Sequence, residues 1–224
     1  MAELTILKQP IALRQEHIAS STTKLRLQST SRIGGEYEVL STTTPNGTGS
    51  PSETPESTSI FKIDGNAVSW RQQRYFRDAS GLPLFELHRK AAGVTWFVDV
   101  PGRNSEQPLA TLAPLFHMLK DKCDVHFENA AAGGEETVLA VRGQDIWKRW
   151  THVYIGDHAL VMRVRLVDMM AVYLPAKRRS WEIEVAEGMD VSLVSESVVV
   201  AIPDIWSILT DPPPPGCDYC GVSG

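Results

Sequence analysis

Cys217-Asp218-Tyr219-Cys220 brings two thiols to the C-x-x-C spacing shared by half-zinc sites and redox pairs. Zinc needs four ligands, and this motif supplies two. Cys123 and His126 could in principle complete the set, but their run alternates, with Cys123, Val125 and Phe127 on one face and Asp124, His126 and Glu128 on the other. No helix N-terminus follows the pair to lower a thiol pKa, which a redox role requires. The plain reading is two reduced thiols in a tail. The six histidines, His17, His88, His117, His126, His152 and His158, form no i, i+4 pair, and no G-x-S-x-G, H-E-x-x-H or phosphate-binding glycine loop occurs. Glu135-Glu136 lies in a glycine-rich turn and reads as solvated. The residues therefore predict no metal, no cofactor and no catalytic group. An enzyme would need groups converging from distant strands, and this ranks as the third reading.

The basic clusters carry the more specific chemistry. Lys177, Arg178 and Arg179 follow Pro175 and precede a strand, so they belong to an exposed turn. Arg89 and Lys90 close another strand after His88. Arg74 and Arg77, with Arg71, surround Tyr75 and Phe76, while Lys148 and Arg149 stand between Trp147 and Trp150. Such groups can bind phosphate oxygens through charge-assisted hydrogen bonds, which suits phosphoinositides or other anionic headgroups. The blander reading is solubility, since turns commonly carry Lys and Arg and polybasic lipid signals use about four to eight cations. With 22 Lys and Arg against 27 Asp and Glu, net charge is −5, which argues against a dedicated nucleic-acid binder. Thr44-Pro45, Ser50-Pro51 and Thr54-Pro55 can accept proline-directed phosphorylation, each phosphate adding about −1.5 to −2 of charge.

The elements that must position these groups read as strands. Ile60 to Gly65, an apolar strand closed by glycine, is followed by Trp70-Arg71 and a strand ending Leu84 to His88. Val138 to Gly143, Trp147-Lys148-Arg149 and Leu160 to Val164 repeat the order. Period-two alternation recurs elsewhere: Leu160, Met162, Val164 and Leu166 oppose Arg163 and Arg165; Trp181, Ile183 and Val185 oppose Glu182 and Glu184; Trp96, Val98 and Val100 oppose Asp99. Turn signals at Asp64-Gly65, Ser80-Gly81, Pro101-Gly102, Gly133-Gly134 and Gly156-Asp157 separate them, which predicts a barrel or sandwich. Residues 41–59, nearly free of apolar side chains, are expected to be a disordered Ser/Thr/Pro insertion in a hairpin. Residues 1–9 and 209–224 are expected as tails, the latter containing Pro212 to Pro215. From Asp190 to Ile202 the apolar positions Val191, Val194, Val198 and Ala201 fall at helical spacing, with Asp190 as N-cap and Pro203 as stop. Since Val199 and Val200 lie off that stripe, the helix is expected to be buried on several sides.

GGEYEVLS (34–41), IFKIDG (60–65), RYFRDASGLPLFELHRK (74–90), CDVHFE (123–128), LAVRGQDIWKR (139–149) and WEIEVAEGMDVSLVSESVVVAIPDIW (181–206) resemble the LURP-one-related family. The closest correspondences are the Asp78-Ala79-Ser80-Gly81 turn and the acidic start of the valine-rich helix. The resemblance spans 10–208. It implies the fold shared with the tubby C-terminal domain and the phospholipid scramblases, a mainly β, closed barrel of roughly twelve strands around a hydrophobic C-terminal α-helix. It further implies a non-enzymatic binding or adaptor module, with anionic membrane lipid or a protein as partner. Phospholipid scrambling is the alternative. No secretory signal or apolar run of about 20 residues appears, so a cytoplasmic protein is expected, peripheral at a membrane or nuclear, without a transmembrane segment.

Overall fold

A computed structural model of the chain describes residues 3–30, 36–42, 58–65, 73–90, 93–102, 107–115, 122–147, 149–156, 158–168 and 178–193. Its strands are β1 (Thr23–Ser29), β2 (Tyr37–Ser41), β3 (Thr58–Gly65), β4 (Arg74–Asp78), β5 (Pro83–Arg89) and β6 (Trp96–Asp99) in the first half. The second half contributes β7 (Ala110–Leu115), β8 (Lys122–Asn129), β9 (Glu135–Gly143), β10 (Trp150–Ile155), β11 (Ala159–Leu166) and β12 (Ser180–Val185). Each strand pairs antiparallel with its chain neighbours, and β1 closes on β12 from Thr23↔Val185 to Gln28↔Ser180. The result is a mainly β, closed, twelve-stranded up-and-down barrel. Closure leaves no unpaired sheet edge, the position at which β proteins otherwise risk aggregation.

Period-two alternation turns one set of side chains inward along most strands, while β11 buries Leu160, Val161 and Met162 in succession. Leu25 and Leu27, Phe61 and Ile63, Phe85 and Leu87, Val125 and Phe127, and Trp181, Ile183 and Val185 are all buried. The two echoing stretches become β3 to β5 and β9 to β11. They lie six strands apart in a ring of twelve, on opposite walls of the barrel. Two details differ from expectation. Asp99 is itself buried beside His88 (Nδ1–Oδ2 3.5 Å), and Val100 falls beyond the end of β6. Pairing also extends into the Ser/Thr/Pro stretch, since β2 reaches Ser41 and β3 starts at Thr58, while 43–57 lie outside the described residues.

Turns between even- and odd-numbered strands share one end of the barrel. There Asp78 accepts hydrogen bonds from Ser80 Oγ (2.6 Å) and Leu82 N (2.9 Å), and Gly81 takes φ +89°, which L side chains rarely adopt. The Ser80 bond, followed by backbone donors, holds the Asp78 pKa below the usual carboxylate value. The N-terminal segment is laced across this same end. Ile11 forms a parallel bridge with Met189 and Ile18 an antiparallel one with Asp190. Asn129 Oδ1 accepts from Ala12 N (3.0 Å), its Nδ2 donates to Pro10 O (3.0 Å), and Ala130 N donates to Ala12 O (2.8 Å). Even within the expected tail, Thr5 N donates to Leu160 O (2.8 Å), and Leu4 and Leu7 pack on the core.

Asp190 completes the closure. Its carboxylate, fully buried, accepts from Leu13 N (3.1 Å), Arg14 N (2.9 Å), Ser192 N (2.7 Å) and Ser192 Oγ (2.6 Å). Burial raises its pKa above the usual carboxylate value, against those hydrogen bonds and the nearby His17. The Ser192 N bond is the N-cap contact expected of Asp190, and Ser192 and Leu193 are helical. The described residues contain no α-helix beyond that start. The remainder of the expected central helix, 194–202, lies outside them, as does the C-terminal tail.

Candidate functional site

Turns from odd- to even-numbered strands gather at the opposite end, and this parity sorts the cationic candidates. Arg89 and Lys90 end β5, Arg149 precedes β10, and Arg178 and Arg179 precede β12. Lys122, which the sequence reading passed over, starts β8 at the same end. Lys90, Arg149 and Arg178 are exposed, and Arg89, Lys122 and Arg179 half-buried. Described carboxylates here are Glu36, Asp145 and Asp168, with Glu38 and Asp64 one residue inside the strand ends. Lys148 and Lys177 lie outside the described residues. The N-terminal end is net acidic, with Glu16, Asp78, Glu128, Glu135, Glu136, Glu184 and Glu187 against Lys8, Arg14, Lys24 and Arg77.

Two candidates do not join the exposed cations. Arg74 shares the inward face of β4 with Phe76 and is only 4% exposed. Its guanidinium lies 5.9 Å from the Tyr37 ring centroid, and its Nη1 is buried without a hydrogen-bond partner. Burial lowers its pKa, partly offset by Tyr37. Arg77 sits near the N-terminal end; its Nε donates to Asp64 Oδ2 (2.7 Å), its Nη1 to Gly81 O (3.2 Å), and its guanidinium covers Tyr75 at 5.8 Å. Arg77 therefore links β3 to the β4–β5 turn and is partly engaged there. Arg89 is partly engaged as well, its Nε donating to Gly93 O (2.9 Å).

The β9–β10 connection is organised by one carboxylate. Asp145 Oδ1 accepts from Trp147 N (2.8 Å) and Arg149 N (3.1 Å), and its Oδ2 from Trp150 N (3.1 Å). Gln144 N donates to Trp150 O (2.9 Å) and its Nε2 to Arg142 O (3.0 Å). These bonds satisfy the backbone of a tight connection whose apolar residues Ile146 and Trp147 face solvent.

A concavity of about 460 Å³ lies on the outer wall formed by β10, β11, β12 and β1. Lys24 and Arg26 on β1, Glu182 and Glu184 on β12, and Arg163 and Arg165 on β11 make successive basic, acidic and basic rows. Glu184 pairs with Lys24 (3.6 Å) and Arg163 (3.4 Å), Glu182 pairs with Arg165, and Arg165 covers the Trp150 ring at 5.7 Å. The facing charges compensate one another, so the groove has only a modest cationic excess. Its outward pattern was visible in β11 and β12, but the juxtaposition required their register.

Cys123 is buried, and burial, with Asp124 beside it, pushes its pKa up to about 12, so it stays a thiol rather than a nucleophilic thiolate. His126 points to the outer side, and Cys217 and Cys220 lie outside the described residues. Among the described residues no group of three or more His, Cys, Asp or Glu is placed to hold a metal ion. No described helix is long and apolar enough to cross a membrane.

No curated protein matches the chain. An X-ray structure of an Arabidopsis thaliana protein is similar in fold, with a TM-score of 0.58 over 88% of this chain and 99% of that one at 16% identity. The model of the LURP-one-related family matches residues 53–202, from the approach to β3 through β12 and beyond. The chain belongs to the LURP-one-related family.

Proposed function

We propose that the protein is a non-enzymatic binding module whose cationic end receives a phosphate-bearing anionic partner, with phosphoinositide headgroups as the preferred class. The observation that carries this reading is the convergence of Arg89, Lys90, Lys122, Arg149, Arg178 and Arg179 on one end of the barrel, while the other end is acidic and crossed by the N-terminal segment. Several cations on separate turns can reach one multivalent phosphate group or several headgroups. A phosphoinositide panel on vesicles, read by co-sedimentation, tests it. Binding should require anionic lipid and weaken as salt is raised, and Arg178→Glu with Arg179→Glu should reduce it about tenfold or more. Equal retention on neutral and anionic vesicles, or no retention at low salt, would remove the lipid reading and leave a protein partner.

The same module is proposed to contain the central helix, continuing from Ser192 towards Ile202. Inward-facing side chains roughly fill a barrel of about eight strands, and twelve enclose more space, which favours an additional filling element. Val198→Asp should then cost about 3 kcal/mol or more by placing an unpaired charge in the interior. An unchanged melting temperature would sink the helix assignment.

A further inference from the structure

We infer that the cationic end docks on an anionic bilayer by inserting the β9–β10 tip, Ile146 and Trp147, into its interface. This rests on the anionic-partner reading and adds its source and the mode of contact. Exposed large apolar side chains are unevenly distributed over the barrel. Of the eight among the described residues, five, Val94, Leu115, Ile146, Trp147 and Val167, belong to the four consecutive hairpins of the cationic end from β5–β6 to β11–β12, whereas Ile6 and Leu82 lie at the opposite end and Val138 on β9. Trp147 is 62% exposed and Ile146 55%. Each of those hairpins also contributes a cation: Lys90, Lys122, Arg149 and Arg178 among them.

Cations alone would suit a soluble polyphosphate, and apolar residues alone would suit a protein groove. Their alternation along one arc suits a membrane interface, where Lys and Arg meet anionic headgroups while Trp and aliphatic side chains enter the acyl boundary. The Trp147 N bond to Asp145, with those from Arg149 N and Trp150 N, restrains the tip, which lowers the ordering entropy that opposes insertion. They also engage the Asp145 carboxylate, the acidic group next to the tip.

The test uses the full chain with phosphatidylcholine vesicles, with and without phosphatidylserine, and inositol hexakisphosphate as the soluble anion. Insertion predicts that lipids brominated on the acyl chain quench tryptophan emission in the wild type, and that Trp147→Phe loses most of that quenching. Ile146→Ser with Trp147→Ser should weaken anionic-vesicle binding by roughly tenfold for each side chain removed, the order carried by burial of one large apolar group. Inositol hexakisphosphate binding should stay unchanged in that variant, which also reports that it is folded. Unchanged vesicle affinity in the serine variant, or absence of quenching in bound wild type, would overturn insertion while leaving the anionic reading intact. Binding of the soluble anion without binding of vesicles would do the same. Failure to bind either anion would overturn both.

Discussion

Arg74 shows how direction decides the role of a charged residue. Among the described basic candidates it is the one turned inward, and Arg74 and Phe76 occupy alternate positions of a five-residue strand, so their common face was legible from spacing. Its presence in a cationic cluster obscured that signal. A buried guanidinium with one nitrogen lacking a partner incurs a desolvation cost that the Tyr37 ring only partly offsets. Arg74→Met keeps much of the volume and removes the charge. It should leave stability unchanged or raise it by about 1 kcal/mol in urea unfolding, whereas a loss above about 2 kcal/mol would show that Arg74 has a structural partner. Cys123 illustrates the complementary case, since its apolar-face position was read correctly and its burial explains its inertness.

Elements were legible wherever a strand is buried on one face, because alternation is then written into every second residue. The β4–β5 turn was also legible, through Asp78 and Gly81. The lacing of the N-terminal segment was not, because Asn129 and Asp190 bind backbone N–H groups more than a hundred positions away and leave no local pattern. Asp190→Ala should expose this role. It removes the acceptor of four hydrogen bonds in a dry site, and an expected loss of about 2–4 kcal/mol in urea unfolding follows. The titration has a defined sign. A carboxyl whose pKa is raised on folding contributes stability below its unfolded value, near 3.8, and loses that contribution as pH rises through the raised value. The wild type should therefore show a declining component of stability above pH 3.8 that Asp190→Asn lacks.

On the scale of the whole molecule, alternation and turn signals left barrel and sandwich open, and the closed barrel of about twelve strands was readable only through the family resemblance. Pairing of β1 with β12 joins residues far apart in sequence, and neither strand announces the other. Likewise, the turn cations other than Lys122 were individually visible, but their assembly at one end follows from counting every strand and applying the parity of an up-and-down meander. Leu27 tests the closing seam, since it is buried between Val39 and Trp181 in the two neighbouring strands. Leu27→Pro should cost about 3 kcal/mol or more and expose pairing edges, giving light scattering on heating before the wild type scatters. Wild-type melting without scattering would contradict a continuous seam. Closure has another consequence: the ring of strands has no intrinsic first member. In a circular permutant opened at the Ala130–Gly134 turn, with its original termini joined by a flexible linker, β8 and β9 would become the sequence-distant pair while β12 and β1 became chain neighbours. The same twelve pairings would be retained, although the chain would have to close them in a different order.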